Sequence, residues 1–133
     1  MARDYVERAR SFLAEAESSF SASDNATCVR RSQEALEFAA KAVLRRLSIE
    51  YPREHDVSEA MQAAAERLPE YLKARLQNIN GLLTELASVR GPALYGYEVE
   101  GIPASKAFTK DYASQTVTRV KELAELCMKF AGE

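Results

Sequence analysis

Three residues near the end of one helical pattern carry side chains that could act together: Arg90, Tyr95 and Tyr97. Leu72, Leu76, Ile79, Leu83 and Leu86 recur by alternating fours and threes, and the next position in that count is Arg90. The spacing predicts a guanidinium on the core-facing line, at the end of its helix. A cation there is favoured by the helix dipole. On a buried line it also needs a partner, either a carboxylate such as Glu34 or a bound phosphate. Segment 90–103 holds three of the five glycines and two of the four prolines. It reads as part of a link of about eighteen residues, where bundle connections are usually two to eight, and that length leans towards function. Its two phenols could donate to phosphate or stack on a base. The expectation is that Arg90, Tyr95 and Tyr97 meet at the mouth of a helical bundle.

Other chemistries find less support. No set of His, Cys and carboxylates shows the spacing of metal ligands, so no metal site is expected. The only histidine, His55, stands beside Asp56 and reads as a local cap or surface residue. Cys28 and Cys127 lie within helical patterns far apart in sequence and read as two buried thiols.

The elements that must position these residues are helices. Tyr5, Ala9, Phe12, Leu13, Ala16 and Phe20 mark a first helix, closed by the polar run at 21–24. A second runs from about Asn25 to Ile49 through Val29, Leu36, Ala40, Val43 and Leu47, with Pro52 closing it. Its opposite face carries Arg30, Glu34, Glu37 and Lys41, the last two a favourable i,i+4 pair. Asp56 and Glu59 form a capping box for a short third helix through Val57, Ala60, Met61, Ala64 and Leu68. Pro69 opens the fourth helix, which carries the Leu72–Leu86 stripe and is interrupted by Gly81. Thr109 caps a fifth through Ala113, Val117, Val120, Ala124, Cys127 and Ala131. Four helices of about 20 residues, or about 30 Å, suit an all-α, up-and-down antiparallel four-helix bundle with one short accessory helix, five helices in all.

Composition agrees. Ala, Glu, Leu, Arg and Lys make up about half of the 133 residues, the balance of long helices. Val, Ile and Thr number 16, too few for a sandwich or barrel. With 47% hydrophobic residues the chain can build a core, and its length fits a single domain over residues 1–133. A formal charge of −2 excludes a global field drawing it to nucleic acid or membrane, though a local cationic cleft is compatible with it. Met1-Ala2-Arg3-Asp4 lacks the apolar stretch of a signal peptide. The longest uncharged run, 76–84, has nine residues, far short of the ~20 that span a bilayer. The expected location is cytoplasmic, without membrane association.

Four segments in this order resemble HEPN domains, the higher eukaryotes and prokaryotes nucleotide-binding family. They are Phe12-Leu13-Ala14-Glu15-Ala16, then Gln33-Glu34-Ala35-Leu36-Glu37-Phe38-Ala39-Ala40-Lys41-Ala42, His55-Asp56-Val57, and Phe108-Thr109-Lys110-Asp111-Tyr112-Ala113. The likeness runs from about Ala9 to Ala131. The family's signature is an arginine ending the fourth helix, four to six residues, a histidine, and often a tyrosine two residues on. Arg90 matches the arginine, Tyr95 occupies the histidine position and Tyr97 matches the trailing tyrosine. The resemblance implies a homodimer in which two such motifs face each other across a cleft, and no cofactor. In active members that composite site cuts RNA without metal. Some are toxins paired with a small nucleotidyltransferase antitoxin, which can modify the trailing tyrosine.

The tyrosine at position 95 changes the chemistry. An imidazole with an ordinary pKa near 6.5 exchanges protons at neutral pH, whereas a phenol near 10 is a poor base. Three readings follow. The first is a dimeric protein binding nucleotide or RNA, without efficient nuclease activity, in which Arg90 holds phosphate, Tyr95 and Tyr97 contact base or phosphate, and Glu34 orients Arg90. The second is a metal-independent ribonuclease toxin using Arg90 and Tyr97. The third is a scaffold or partner subunit that docks a nucleotidyltransferase.

Overall fold

The computed structural model describes residues 1–50 and 56–133, so His55 and Pro52 lie outside the described residues. Five helices of seven residues or more carry the fold: α1 (Ala2–Ser21), α2 (Asn25–Arg46), α3 (Val57–Ala63), α5 (Leu76–Tyr95) and α7 (Lys110–Ala131). Two single-turn helices, α4 (Glu70–Lys73) and α6 (Ala104–Ala107), and a 3-10 turn at Ala65–Arg67 complete the series. Among the described residues the chain has no strand, only an antiparallel bridge between Tyr97 and Ile102. The all-α bundle expected from the apolar periodicity is what forms.

Helix α2 is the central element. Twelve of its 22 residues are buried, against four of 20 in α1, so α2 must be covered on more than one side. Alanines at 26, 35, 39, 40 and 42 keep its surface low, and α1, α5 and α7 all pack on it. Leu36, Val43 and Leu44 are completely buried there. Helix α5 rests on α2 and α3 and meets α7 at few points, which leaves a groove between α5 and α7.

The helix starts follow local chemistry. Asp24 accepts from the Thr27 N–H at 3.2 Å, Asp56 from the Ser58 N–H at 2.9 Å, and Thr109 from the Tyr112 N–H at 3.0 Å. Each satisfies one of the amides that a helix start leaves without a partner.

Four ends depart from the sequence reading. Helix α3 stops at Ala63, short of Leu68, and gives way to the 3-10 turn at Ala65–Arg67. Helix α2 stops at Arg46, short of Ile49, because Ser48 turns left-handed (φ 58°) and the Ile49 N–H reaches back to the Leu44 carbonyl at 2.9 Å. The fourth helix, expected as one piece from Pro69, is broken after Lys73: Arg75 leaves helical geometry (φ −108°, ψ 6°) and reaches Glu122 on α7 at 2.8 Å. Its second part, α5, continues through Gly91 and Pro92 to Tyr95. The expected long link is therefore mostly structured. Gly96 (φ 75°) ends α5, residues 97–102 form a tight turn closed by paired bonds between Tyr97 and Ile102, and α6 leads into α7.

Candidate functional site

Arg90 lies on α5, five residues before its end, and its side chain is exposed rather than buried. Its angular position does not account for this: at 100° per residue Arg90 stands about 40° around from Leu76, between buried Leu83 and Ile79 on the core-facing arc. At this level of α5 that arc borders the open cleft described next rather than packed core.

Arg90 lines a cleft of about 330 Å³ between α2, α3 and α5. Gln33 and Glu37 of α2 and the α3 cap Asp56 supply its other polar groups. Val57, Leu83 and Ala87 supply apolar surface. Glu34, the expected partner of Arg90, is engaged elsewhere: it pairs with Arg31 at 3.0 Å and Arg30 at 3.8 Å. One turn further along α2, Glu37 lines the cleft with Arg90 instead. Its Oε1 is 3.2 Å from Lys41 Nζ, and its Oε2 accepts from Gln33 Nε2 at 2.8 Å. Among the described residues Arg90 has no ion-pair partner.

The two tyrosines lie apart from this cleft. Tyr95, 69% exposed, is the last residue of α5 and stands about 140° around the helix from Arg90. Tyr97 is half-buried in the turn, with its ring 6.5 Å from that of Phe108, which in turn stacks on Tyr112 at 5.7 Å. Neither tyrosine lines the cleft, so one chain does not assemble Arg90, Tyr95 and Tyr97 into a single pocket. Asn25 Nδ2 donates to the Phe108 carbonyl at 3.2 Å and ties the segment before α7 to the start of α2.

Sequence reasoning missed two features. Gln33 falls between Val29 and Leu36 on the apolar stripe of α2, and that polar intrusion was the available signal. The second is the groove between α5 and α7, about 430 Å³, floored by Gly81 and Leu82. There Glu85 Oε2 accepts from the Tyr112 hydroxyl at 2.9 Å and lies 3.4 Å from Arg119 Nη1. Burial first, and then the Glu85 carboxylate, push the Tyr112 hydroxyl up to about 12. Glu85 is the one acidic residue of α5, which made it visible in the sequence without indicating its partners.

The thiols are unpaired and buried as expected. Cys28 Sγ lies 3.8 Å from the Ala113 carbonyl, and burial raises Cys127 to about 12. Among the described residues no three His, Cys, Asp or Glu side chains form a metal-binding group. Nor is any helix long and apolar enough to cross a membrane.

Comparison with known proteins fits this architecture. No curated protein matches the chain significantly. The HEPN domain family model, in contrast, matches residues 2–130, almost the whole length and every element described above. The chain belongs to the HEPN domain family.

Proposed function

We propose that this HEPN domain binds a nucleotide or RNA phosphate through Arg90, in a cleft completed by a second copy of the chain, without efficient nuclease activity. The observation that carries the reading is an exposed guanidinium at the rim of a cleft, with no ion-pair partner among the described residues. Such a group presents a fork of donors matched to phosphate oxygens. Neither nearby carboxylate is paired with it: Glu37 pairs with Lys41, and Asp56 accepts the Ser58 N–H as a helix cap.

The surface of α5 supports the second copy. Glu85 and Arg90 are the only charged residues in its 20. Gly81, Thr84, Ser88, Gly91 and Tyr95 are exposed and share one face, so two such helices could approach without opposing like charges. Pairing there would bring Tyr95 of each copy towards the other's cleft, where a phenol can donate to phosphate or stack on a base. Leu94, Tyr95, Val99 and Ile102 are four of the five large apolar side chains left exposed among the described residues. That end of the molecule is also where a minimal nucleotidyltransferase partner would dock.

The test is titration of nucleotides and of single-stranded RNA into wild type and Arg90→Ala, with the RNA examined for cleavage. Removing a charge-assisted contact worth about 1.5–3 kcal/mol should weaken binding by about tenfold or more. The RNA should stay intact. Unchanged affinity in folded Arg90→Ala protein would discard the reading. Cleavage abolished by the same substitution would replace it with the ribonuclease one.

A further inference from the structure

Position 33 lies among the buried positions of α2, where an apolar side chain would be the ordinary choice. Gln33 is 6% exposed, and its Nε2 donates to Glu37 Oε2 at 2.8 Å. That bond fixes the amide, because the flipped form would set its oxygen against a carboxylate. Gln33 Oε1 is left fully buried with no hydrogen-bond donor among the described residues. An unpaired buried acceptor costs more than one i,i+4 contact on a helix returns. Relative to an apolar residue of its size, Gln33 therefore weakens the fold, and what it gains is a hold on Glu37. The other oxygen of that carboxylate is held as well: Oε1 lies 3.2 Å from Lys41 Nζ. Glu37 is thus gripped from four residues before and four residues after, with one donor on each oxygen. It lines the same cleft as Arg90, which is the only cation among the residues lining it. A glutamate free to turn there has one counter-ion to turn to, yet Arg90 has no ion-pair partner among the described residues.

We propose that Gln33 is a positioning residue: together with Lys41 it holds Glu37 back from Arg90 and keeps the guanidinium open to phosphate. The inference rests on Arg90 being the phosphate site. Carboxylate and guanidinium form strong charge-assisted bonds, so an arginine left unpaired in a cleft shared with a glutamate needs that glutamate restrained. A carboxylate with a donor on each oxygen has less to gain by turning. The incoming phosphate then meets an open fork of donors and displaces no side chain to reach it. Lys41 alone would hold one oxygen and leave the other free, which is why the second hold carries the effect.

The test uses the full chain and two readouts. One is affinity for AMP and for oligouridylate; the other is water exchange of the Arg90 Nε proton by NMR, which reports pairing without any ligand. Gln33→Met keeps the side-chain length, removes both the donor and the buried acceptor, and should leave the thermal midpoint unchanged or raised. It should weaken binding about tenfold, the loss expected when Arg90 is free about one-tenth of the time. The Arg90 Nε proton should exchange more slowly in this variant, because the guanidinium is then paired. Adding Glu37→Gln to Gln33→Met should restore wild-type affinity, since the competing charge is gone. Glu37→Gln alone should bind at least as tightly as wild type. Binding that falls in Gln33→Met and is not restored by Glu37→Gln would make Gln33 a packing residue and overturn the proposal. Wild-type affinity in Gln33→Met would overturn it too, as would lost binding in Glu37→Gln alone, which would put Glu37 on the ligand. If wild type binds neither probe, the phosphate reading falls and the NMR readout still decides. A slowed Arg90 proton in Gln33→Met would then uphold the restraint of Glu37, and an unchanged one would overturn it.

Discussion

Tyr112 and Cys127 give single residues a measurable part in stability at alkaline pH. Folding raises the phenol from an ordinary 10.0 to about 12 and the thiol from 9.0 to about 12, in both cases chiefly through burial. The folded chain therefore holds these protons more tightly than the unfolded one. Their contribution is complete below the ordinary values and is lost as pH rises towards about 12. The urea midpoint should accordingly fall between pH 9 and pH 12. Cys127→Ala should flatten the fall from its start near pH 9, and Tyr112→Phe the part above pH 10. Midpoints that stay level to pH 11 in wild type would contradict this account. Arg90 shows the complementary limit at the same scale. Its type and approximate place were readable from the stripe, but its exposure was not. The count places it on the core-facing arc, but which neighbours cover that end of the helix is decided by tertiary packing, and there the arc borders an open cleft.

Helix starts with a side-chain cap were more legible than the uncapped start and the stop of α5. Asp24, Asp56 and Thr109 cap their helices through side chains a few residues away, so local sequence contains the whole interaction. Segment 90–103 reads as part of a long link, and proline disfavours helix in the residue before it. Glycine has no Cβ to clash with the ring, and the helix runs on for three more residues until the Gly96 N–H bonds the Pro92 carbonyl at 2.8 Å. The real stop is Gly96. Its φ of 75° suits glycine, and a Cβ there would collide with the Ile102 carbonyl oxygen and come within 2.7 Å of the Ala104 N. Both neighbours are backbone and cannot swing away. Gly96→Ala should cost about 1–3 kcal/mol in urea unfolding. A cost under about 0.5 kcal/mol would mean that the turn relaxes freely. None of this was visible beforehand, because the contact joins positions 96 and 102–104 through backbone atoms, which carry no sequence signature.

For the molecule as a whole, a net charge of −2 sets no barrier to self-association, and the uncharged face of α5 supplies a surface for it. Sedimentation should give a dimer. Ser88→Arg, a good helix former placed on that face, should shift it to monomer with the helical content unchanged. A wild-type monomer at all accessible concentrations would remove the two-copy cleft. It would leave the single-chain cleft that Arg90 lines intact, because its lining comes from one chain.

The sparse contact between α5 and α7 has a consequence in time as well as in space. Helices α1, α2 and α7 enclose one another around the buried alanines, whereas α5 is held on one side by α2 and α3 and borders a polar groove on the other. Cooperative opening follows such differences in packing. Native-state hydrogen exchange should find the amides of α5 released in a partial opening, while those of α2 wait for global unfolding. The face that carries Arg90 would then be the part of the protein that breathes first, and a nucleotide bound there should slow that exchange ahead of any other.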